Sequence, residues 1–320
     1  MIKLINPVNN LPIIEKINGL YSYEEELIYK YYQGAFRIVP DDNYSTNFGL
    51  QWNTFQKTQI DKYSGSNITH QRFFSETRWN NDLEDEVILE VGSGAGRFSQ
   101  IILDYTKAAL YSVDFSNAVE ANYKNNGPNE RLKLFQASIY EMPFEKNSFD
   151  KVICLGVLQH TPDFKKSIEC LIEMVKPGGE IVIDFYPIKG WYTKICAKYI
   201  LRPFTKKMNH DKLMFLIRKN INWLIKFYKF NSWIKFGFLN RFLPICDIKR
   251  TLPEKLNDID LNEFVILDTF DMFSPQYDNP QKLKTVEKWF KEEGLIEVDA
   301  NFIKYGSNFE AATVKGTKPL

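Results

Sequence analysis

The apolar run Val87-Ile-Leu-Glu-Val91 feeds directly into Gly92-Ser-Gly-Ala-Gly-Arg-Phe98, and Phe98, Ile101, Ile102 and Tyr105 then recur at helical spacing. A strand that passes through three alternate glycines into a helix restricts what can be built around it. Glycine lets the chain turn sharply and brings its backbone against a ligand. The alternation continues downstream: ALYSVD, a polar helix from Ser116, LKLFQAS, KVICLGV, a helix over Ile168, Leu171, Ile172 and Val175, and then EIVIDFY. This βαβ order predicts an α/β fold, a doubly wound and mostly parallel sheet with helices on both faces. Farther on come EFVILDTFDMF, the helix TVEKWFKEEGL, and two strands, IEVDANFI and FEAATVKG, separated by KYGSN. The last pair reads as a C-terminal β-hairpin.

Two segments do not fit the alternation. Residues 1–80 carry short strand-like stretches around Leu11 to Ile17 and Phe36 to Val39, then the aromatic, Gln-rich NFGLQWNTFQKTQID; they are expected to form an appendage outside the sheet. The second is Gly190 to Arg250, with 14 Lys or Arg against 2 Asp or Glu, in a chain whose net charge is only +1. The predicted organisation is an N-terminal extension over 1–80, a nucleotide-type domain over 81–189 and 251–320, and a basic, aromatic insertion over 190–250, read as a helical cap.

Composition excludes several classes. With 44% apolar and 15% aromatic residues the chain can bury a real core. Cys154, Cys170, Cys196 and Cys246 have no paired spacing, so neither a disulfide framework nor a zinc knuckle is indicated and no metal is expected. No stretch reaches the roughly 18 apolar residues of a membrane span, and MIKLINPVNNLPIIEK lacks a signal-peptide pattern, so the expected address is cytoplasmic.

Nicotinamide, flavin, ATP and S-adenosylmethionine are all held on glycine turns, and the flanking residues discriminate among them. Dinucleotide enzymes favour GxGxxG, whereas Gly92, Gly94 and Gly96 make GxGxG. Glu90 offers a carboxylate to a cationic amino-acid end and would repel a pyrophosphate. Asp114, ending the next strand, can accept both ribose hydroxyls of an adenosine; the alternative is an ordinary strand-end or helix-start acid.

The stretch SIYEMPFEKNSFDKVICLGVLQHTPD followed by MVKPGGEIVI, together with the glycine loop and Asp114, resembles the class I S-adenosylmethionine-dependent methyltransferases. The nearest branch is the ubiquinone/menaquinone-biosynthesis-like (methyltransferase type 11) one, and the match covers roughly Glu86 to Tyr186. The resemblance implies a Rossmann-like seven-stranded sheet and S-adenosylmethionine as cofactor. It places Gly92, Ser93, Gly94 and Gly96 on the methionine side, Asp114 on the ribose, and Ser138 with Ile139 beside the adenine. Phe115 is either a wall for the adenine ring or core, and Leu155 joins the cofactor-side residues. Ser138 stands where related enzymes carry Asp, which implies weaker cofactor binding.

Transfer of a methyl group to a hydroxyl needs a proton acceptor, and His160, just after the fourth strand, has an unperturbed pKa of about 6.5 that suits one. It can equally hydrogen-bond substrate or order the loop. Asp271 and Tyr277 lie in LDTFDMFSPQYDNP, read as a loop feeding the last helix; they are acceptor-binding or deprotonating candidates, or ordinary loop residues. The opening INPVNNLP resembles a zinc-ribbon-like module with Asn6 and Asn9 at cysteine places, hence a metal-free relic. Gln51, Trp52 and Phe55 either cover the cleft or pack the extension on the domain, the second being preferred.

The insertion's positive charge and 13 aromatics suit an anionic membrane surface or lipid-linked phosphate, a helical cap with its lysines in water, or, least of all, nucleic acid. The resulting expectation is an O-methyltransferase acting on a sugar, glycan precursor or related metabolite, by resemblance to methyltransferases of surface-polysaccharide pathways. The alternatives are methylation of a quinone-like aromatic and a non-catalytic scaffold that keeps the cofactor fold.

Overall fold

The computed structural model describes residues 2–253, Leu256 and 258–320. The extension contains β1 (Leu4–Ile5), β2 (Pro12–Lys16), β3 (Gly19–Tyr21), β4 (Leu27–Tyr32) and β5 (Ala35–Arg37), then α1 (Thr46–Thr54), α2 (Asp61–Ser64) and α3 (Ile68–Thr77). The central domain follows as β6 (Val87–Val91), α4 (Arg97–Tyr105), β7 (Ala109–Asp114), α5 (Val119–Asn126), β8 (Leu132–Gln136), β9 (Phe149–Cys154), α6 (Phe164–Met174) and β10 (Val175–Phe185). Next come α7 (Ala197–Thr205), α8 (His210–Trp233), α9 (Ile248–Thr251) and α10 (Asp258–Phe273), and the chain closes with α11 (Leu283–Glu292), β11 (Ile296–Tyr305) and β12 (Phe309–Thr317).

Strand order in the central domain is β8-β7-β6-β9-β10-β12-β11. The first five are parallel, whereas β12 runs antiparallel to both β10 and β11. Beyond the half-buried first residues Val87 and Ala109, the apolar residues of β6, β7 and β9 are buried, as expected of strands covered by helices on both faces. Order reverses between β6 and β9, and a parallel sheet collects ligands outside the carboxyl ends of its strands at such a switch point.

The extension does not stand apart from this sheet, contrary to the expectation from sequence. Its strands form an antiparallel meander, and β5 pairs in parallel with β8, giving one continuous sheet of 12 strands. Side chains reinforce that ladder: Phe36 packs on Phe135 at 5.1 Å between ring centroids, and Arg37 Nη1 donates to Gln136 Oε1 at 2.8 Å. Three residues of strand are too few to register as a pattern before that pairing exists. Asn6 and Asn9 each close a local turn, accepting from the backbone N–H of Val8 and Leu11 at 3.0 Å, and Asn6 Oδ1 also accepts from the Tyr29 hydroxyl at 2.9 Å.

The cap is larger than 190–250. Leu213, Ile217, Ile221 and Leu224 of α8 share one apolar cluster with Phe264, Leu267 and Phe270 of α10 and with Phe55. The segment read as a loop, LDTFDMF, is therefore the last turns of a helix. Phe264, Leu267, Phe270 and Phe273 recur three apart and are buried, so α10 belongs by packing to the cap.

Candidate active site

A cavity of about 590 Å³ opens between the carboxyl ends of the parallel strands, the segments α1 to α3, and α10. Its floor is the glycine turn. Gly94 and Gly96 have φ of 54° and 83°, a region that L side chains avoid. A Cβ on Gly94 would lie 2.8 Å from the Trp52 indole nitrogen, and one on Gly96 would lie 2.2 Å from Asn122 Oδ1. Trp52 thus sits over the loop and lines the cavity with Gln51, so this stretch does cover the cleft; Phe55 instead joins the cap cluster.

Asp114 lines the cavity and is tied down. Its Oδ2 accepts from the Gly94 N–H at 2.8 Å, and its Oδ1 accepts from the Ser116 N–H at 2.8 Å and hydroxyl at 2.7 Å. Burial raises its pKa against those hydrogen bonds. Glu90 is not on the cavity wall. It lies beneath the loop, accepting from the hydroxyls of Ser99 and of Ser112, the latter at 3.0 Å; its Oε1 is buried without a partner, and burial pushes its pKa up to about 7. The expected direct contact between Glu90 and the ligand is replaced by support of the turn from below.

Ser93, Leu155 and Phe115 line the cavity, the last with its ring 4.7 Å from that of Tyr44. Ser138 and Ile139 do not. The chain after β8 folds back, with the Glu141 N–H donating to the Ser138 carbonyl at 3.0 Å, so Ser138 Oγ accepts from the Tyr140 N–H and Ile139 enters the main core.

His160 is buried on the wall between the rings of Phe48 and Tyr186, 5.1 and 5.6 Å away. Its Nδ1 is 3.1 Å from the carbonyl oxygen of Tyr277. A carbonyl only accepts, so Nδ1 carries the proton and Nε2 keeps a free lone pair. Nε2 is buried with no partner. Burial lowers the His160 pKa, outweighing the nearby Asp271 and Asp278 carboxylates. Tyr277 enters through this carbonyl; its phenol ring is off the wall and stands edge-on to Tyr44.

Asp271 does face the cavity, from α10. It accepts from the Tyr186 hydroxyl at 3.1 Å and, weakly, from Gln51 Nε2 at 3.5 Å. One turn earlier, Asp268 accepts from Gln59 Nε2 at 3.3 Å, and burial with the neighbouring Asp271 charge pushes its pKa up to about 7. Gln59 Oε1 in turn accepts from Arg97 Nη1 at 2.7 Å. Arg97 has no carboxylate in ion-pair range among the described residues, and burial with the adjacent Arg72 lowers its pKa to about 10. Arg72 is compensated: it donates to Asp184 at the end of β10 and to Glu76 at 2.7 Å, and Asp184 also accepts from the Gly156 N–H. Asp268, Arg97, Gln59 and Tyr186 went unrecognised in sequence. Only the three-residue spacing of Asp268 and Asp271 on a helix, and the place of Arg97 after the last glycine, could have signalled them.

Residues 89–183 match the profile of the methyltransferase domain family. Along 292 residues, 85% of this chain and 89% of the other, the sequence is 26% identical to a ubiquinone biosynthesis O-methyltransferase of Rickettsia conorii. It is 24% identical over 174 residues to phosphoethanolamine N-methyltransferase 2 of Caenorhabditis elegans, covering 50% of this chain but only 39% of that enzyme. In fold, 88% of the chain superposes on 100% of a methyltransferase solved with the Trm112 activator of Haloferax volcanii, with a TM-score of 0.50 and 12% identity. The Haemonchus contortus phosphoethanolamine N-methyltransferase 2, solved with S-adenosylhomocysteine, gives 0.51 at 13% identity over 88% of this chain and 61% of its own.

Glycine turn, switch point and profile together define a class I methyltransferase domain. The protein is an S-adenosylmethionine-dependent methyltransferase with S-adenosylmethionine as its cofactor, and in sequence it is similar to the ubiquinone biosynthesis O-methyltransferases. The residues present fit that cofactor: Ser93 Oγ and Gln51 Oε1 are buried polar atoms without partners on residues that line one cavity beside the glycine turn and Asp114. Buried polar atoms are rarely left unpaired in the absence of a ligand or water.

Proposed function

We propose that the protein is an O-methyltransferase whose acceptor is a hydroxyl of a sugar, a glycan precursor or a related polar metabolite of a polysaccharide pathway. The observation that carries this reading is the cap side of the cavity, where Asp268, Asp271, Tyr186, Gln59 and Arg97 offer hydrogen-bonding and charged groups. A polyhydroxylated acceptor can use the hydrogen-bonding capacity these groups retain beyond their mutual contacts, whereas an apolar one would remove charged groups from water with nothing in return.

S-adenosylmethionine, when bound, supplies a methyl group on a sulfonium, which an acceptor oxygen takes by near in-line approach as its proton leaves. Asp114 receives the ribose hydroxyls in this reading, and the Gly92–Gly96 turn with Ser93 receives the methionine portion. His160 is the proton acceptor: its Nδ1–H is held by the Tyr277 carbonyl and Nε2 is the free base. Asp271 and Tyr186 orient the acceptor, and Trp52 and the cap exclude water.

A second reading, methylation of a quinone-like phenol, is favoured by the similarity to the Rickettsia enzyme and by Phe48, Phe115 and Met272 on the same wall. The two separate on incubating the protein with isotopically methyl-labelled cofactor and either a polar sugar-nucleotide and glycan fraction or a quinol fraction, followed by mass spectrometry. Label in the polar fraction alone is expected; label confined to quinols would overturn the sugar reading. Asp271→Asn should raise the acceptor KM several-fold and leave S-adenosylhomocysteine affinity unchanged.

A further inference from the structure

The long helix α8 carries large apolar side chains on its outer side as well as on the side that packs inward. Leu213, Ile217, Ile221 and Leu224 fill one side and pack on α10. The opposite side, which should be polar, carries Phe215, Leu216, Trp223, Phe227, Phe230 and Trp233, all exposed, Phe215 by 62% and Trp233 by 79%. Leu216, Trp223 and Phe230 are seven apart and therefore form one stripe. Phe236, Phe238 and Phe242 extend the patch from the 3-10 turn that packs beside α8. All three exposed tryptophans, and all but one of the exposed phenylalanines of the described residues, lie between 191 and 242. A contiguous exposed patch of large apolar side chains normally marks a surface that something covers.

Charge identifies what covers it. Lys212, Lys219, Lys226, Lys229 and Lys235 alternate with the aromatics, and none of them takes part in an ion pair among the described residues. Residues 190–250 as a whole hold 14 basic residues against 2 acidic. A second copy of this chain would set one such face against another and double the repulsion. An anionic bilayer fits both properties: exposed Trp and Phe enter the headgroup boundary, and lysines on the flanks meet lipid phosphates.

We propose that the outer face of α8, with the adjoining 236–242 turn, is an interfacial docking surface for an anionic lipid bilayer. Docked in this way, α8 lies along the membrane surface and does not cross it; no helix among the described residues is long and apolar enough to span. Because packed helices lie about 8–10 Å apart, the bilayer would sit one helix from α10 and hence from Asp268 and Asp271. The inference is independent of which acceptor is methylated.

The test is sedimentation of the full chain with vesicles of phosphatidylcholine alone or phosphatidylcholine with phosphatidylglycerol, reading adsorption and tryptophan emission. Expected are pelleting and a blue shift only with phosphatidylglycerol. Adsorption should fade as salt rises, since exposed charges are screened over about 10 Å near 0.1 M. Replacing Lys219, Lys226 and Lys229 by Glu should lower partitioning at least about a hundredfold, from the usual contribution of each basic residue at a charged surface. Trp223→Ser with Trp233→Ser should weaken adsorption and leave its salt dependence in place. Calorimetry with S-adenosylhomocysteine, expected unchanged in both variants, reports their folding.

Equal pelleting on neutral vesicles, no pelleting at low salt, or equal pelleting of wild type and the lysine variant would overturn the proposal. So would concentration-dependent dimerisation without lipid that the Trp variant abolishes, which would assign the face to a second copy. Binding to RNA lost in the lysine variant, with no vesicle binding, would assign it to nucleic acid.

Discussion

The two walls of the cavity are built in opposite ways. On the strand side, backbone does the work: the glycine turn and the Gly94 N–H that fixes Asp114, while His160, just after β9, is held by a backbone group from beyond α10, the Tyr277 carbonyl. On the cap side, side chains from distant segments meet: Gln59 joins Arg97 to Asp268, and Gln51 and Tyr186 converge on Asp271. A backbone wall tolerates little change in shape and suits a ligand shared by many enzymes. A side-chain wall can be rewritten residue by residue, which is where acceptor choice belongs.

The comparison breaks most sharply at His160. His160→Gln is expected to lower kcat by about 10²–10⁴-fold, the usual contribution of a positioned base, with S-adenosylhomocysteine affinity unchanged in calorimetry. The pH profile adds a sign. Burial lowers the His160 pKa, so the neutral, proton-accepting form persists below the ordinary value of about 6.5. The wild-type rate should stay flat from neutral pH down through that value and fall only below it; a midpoint above it would remove His160 as the base.

Next in size is Asp114→Ala. Loss of a hydrogen bond to a charged group costs about 1.5–3 kcal/mol, or tenfold and more in affinity, and S-adenosylhomocysteine titration should show it with acceptor KM little changed. An unaltered affinity in a folded protein would detach the ribose from this wall. The smallest expected effect is Gly94→Ala, where a left-handed φ and Trp52 at 2.8 Å oppose a methyl group. Thermal unfolding should register a loss of about 1–2 kcal/mol from the backbone term. Adding Trp52→Ala should recover only the part due to crowding.

That division of labour also decides what sequence could reveal. The strand-side elements are local, so a short stretch carries both the turn and its acid, and Gly92 to Gly96, Asp114 and the helix-sheet alternation were readable. His160 was readable as a candidate because it closely follows a core strand. Glu90 was readable as an acid, but not its position under the loop, because Ser99 and Ser112 approach it only once α4 and β7 are packed. Ser138 and Ile139 were misplaced because a tight turn after β8 carries them away from the cavity. Asp271 was picked out but assigned to a loop, since Thr, Asp and Ser around it masked the spacing of Phe264, Leu267, Phe270 and Phe273. Asp268, Gln59 and Arg97 form a chain across segments far apart in sequence, and no local pattern encodes such a meeting.

The pairing of β5 with β8 has a consequence for how the chain is assembled. Residues 35–37 are made early, yet the strand they hydrogen-bond, 132–136, follows much later, with β6 and β7 made in between. The N-terminal meander must therefore remain unplaced until the middle of the sheet exists, and it closes an edge that would otherwise present Phe135 and open backbone to other molecules. The extension is in this sense a late lock on an early-built core: shortened chains beginning after Arg37 would retain the cofactor turn but expose a strand ready to pair with its own kind.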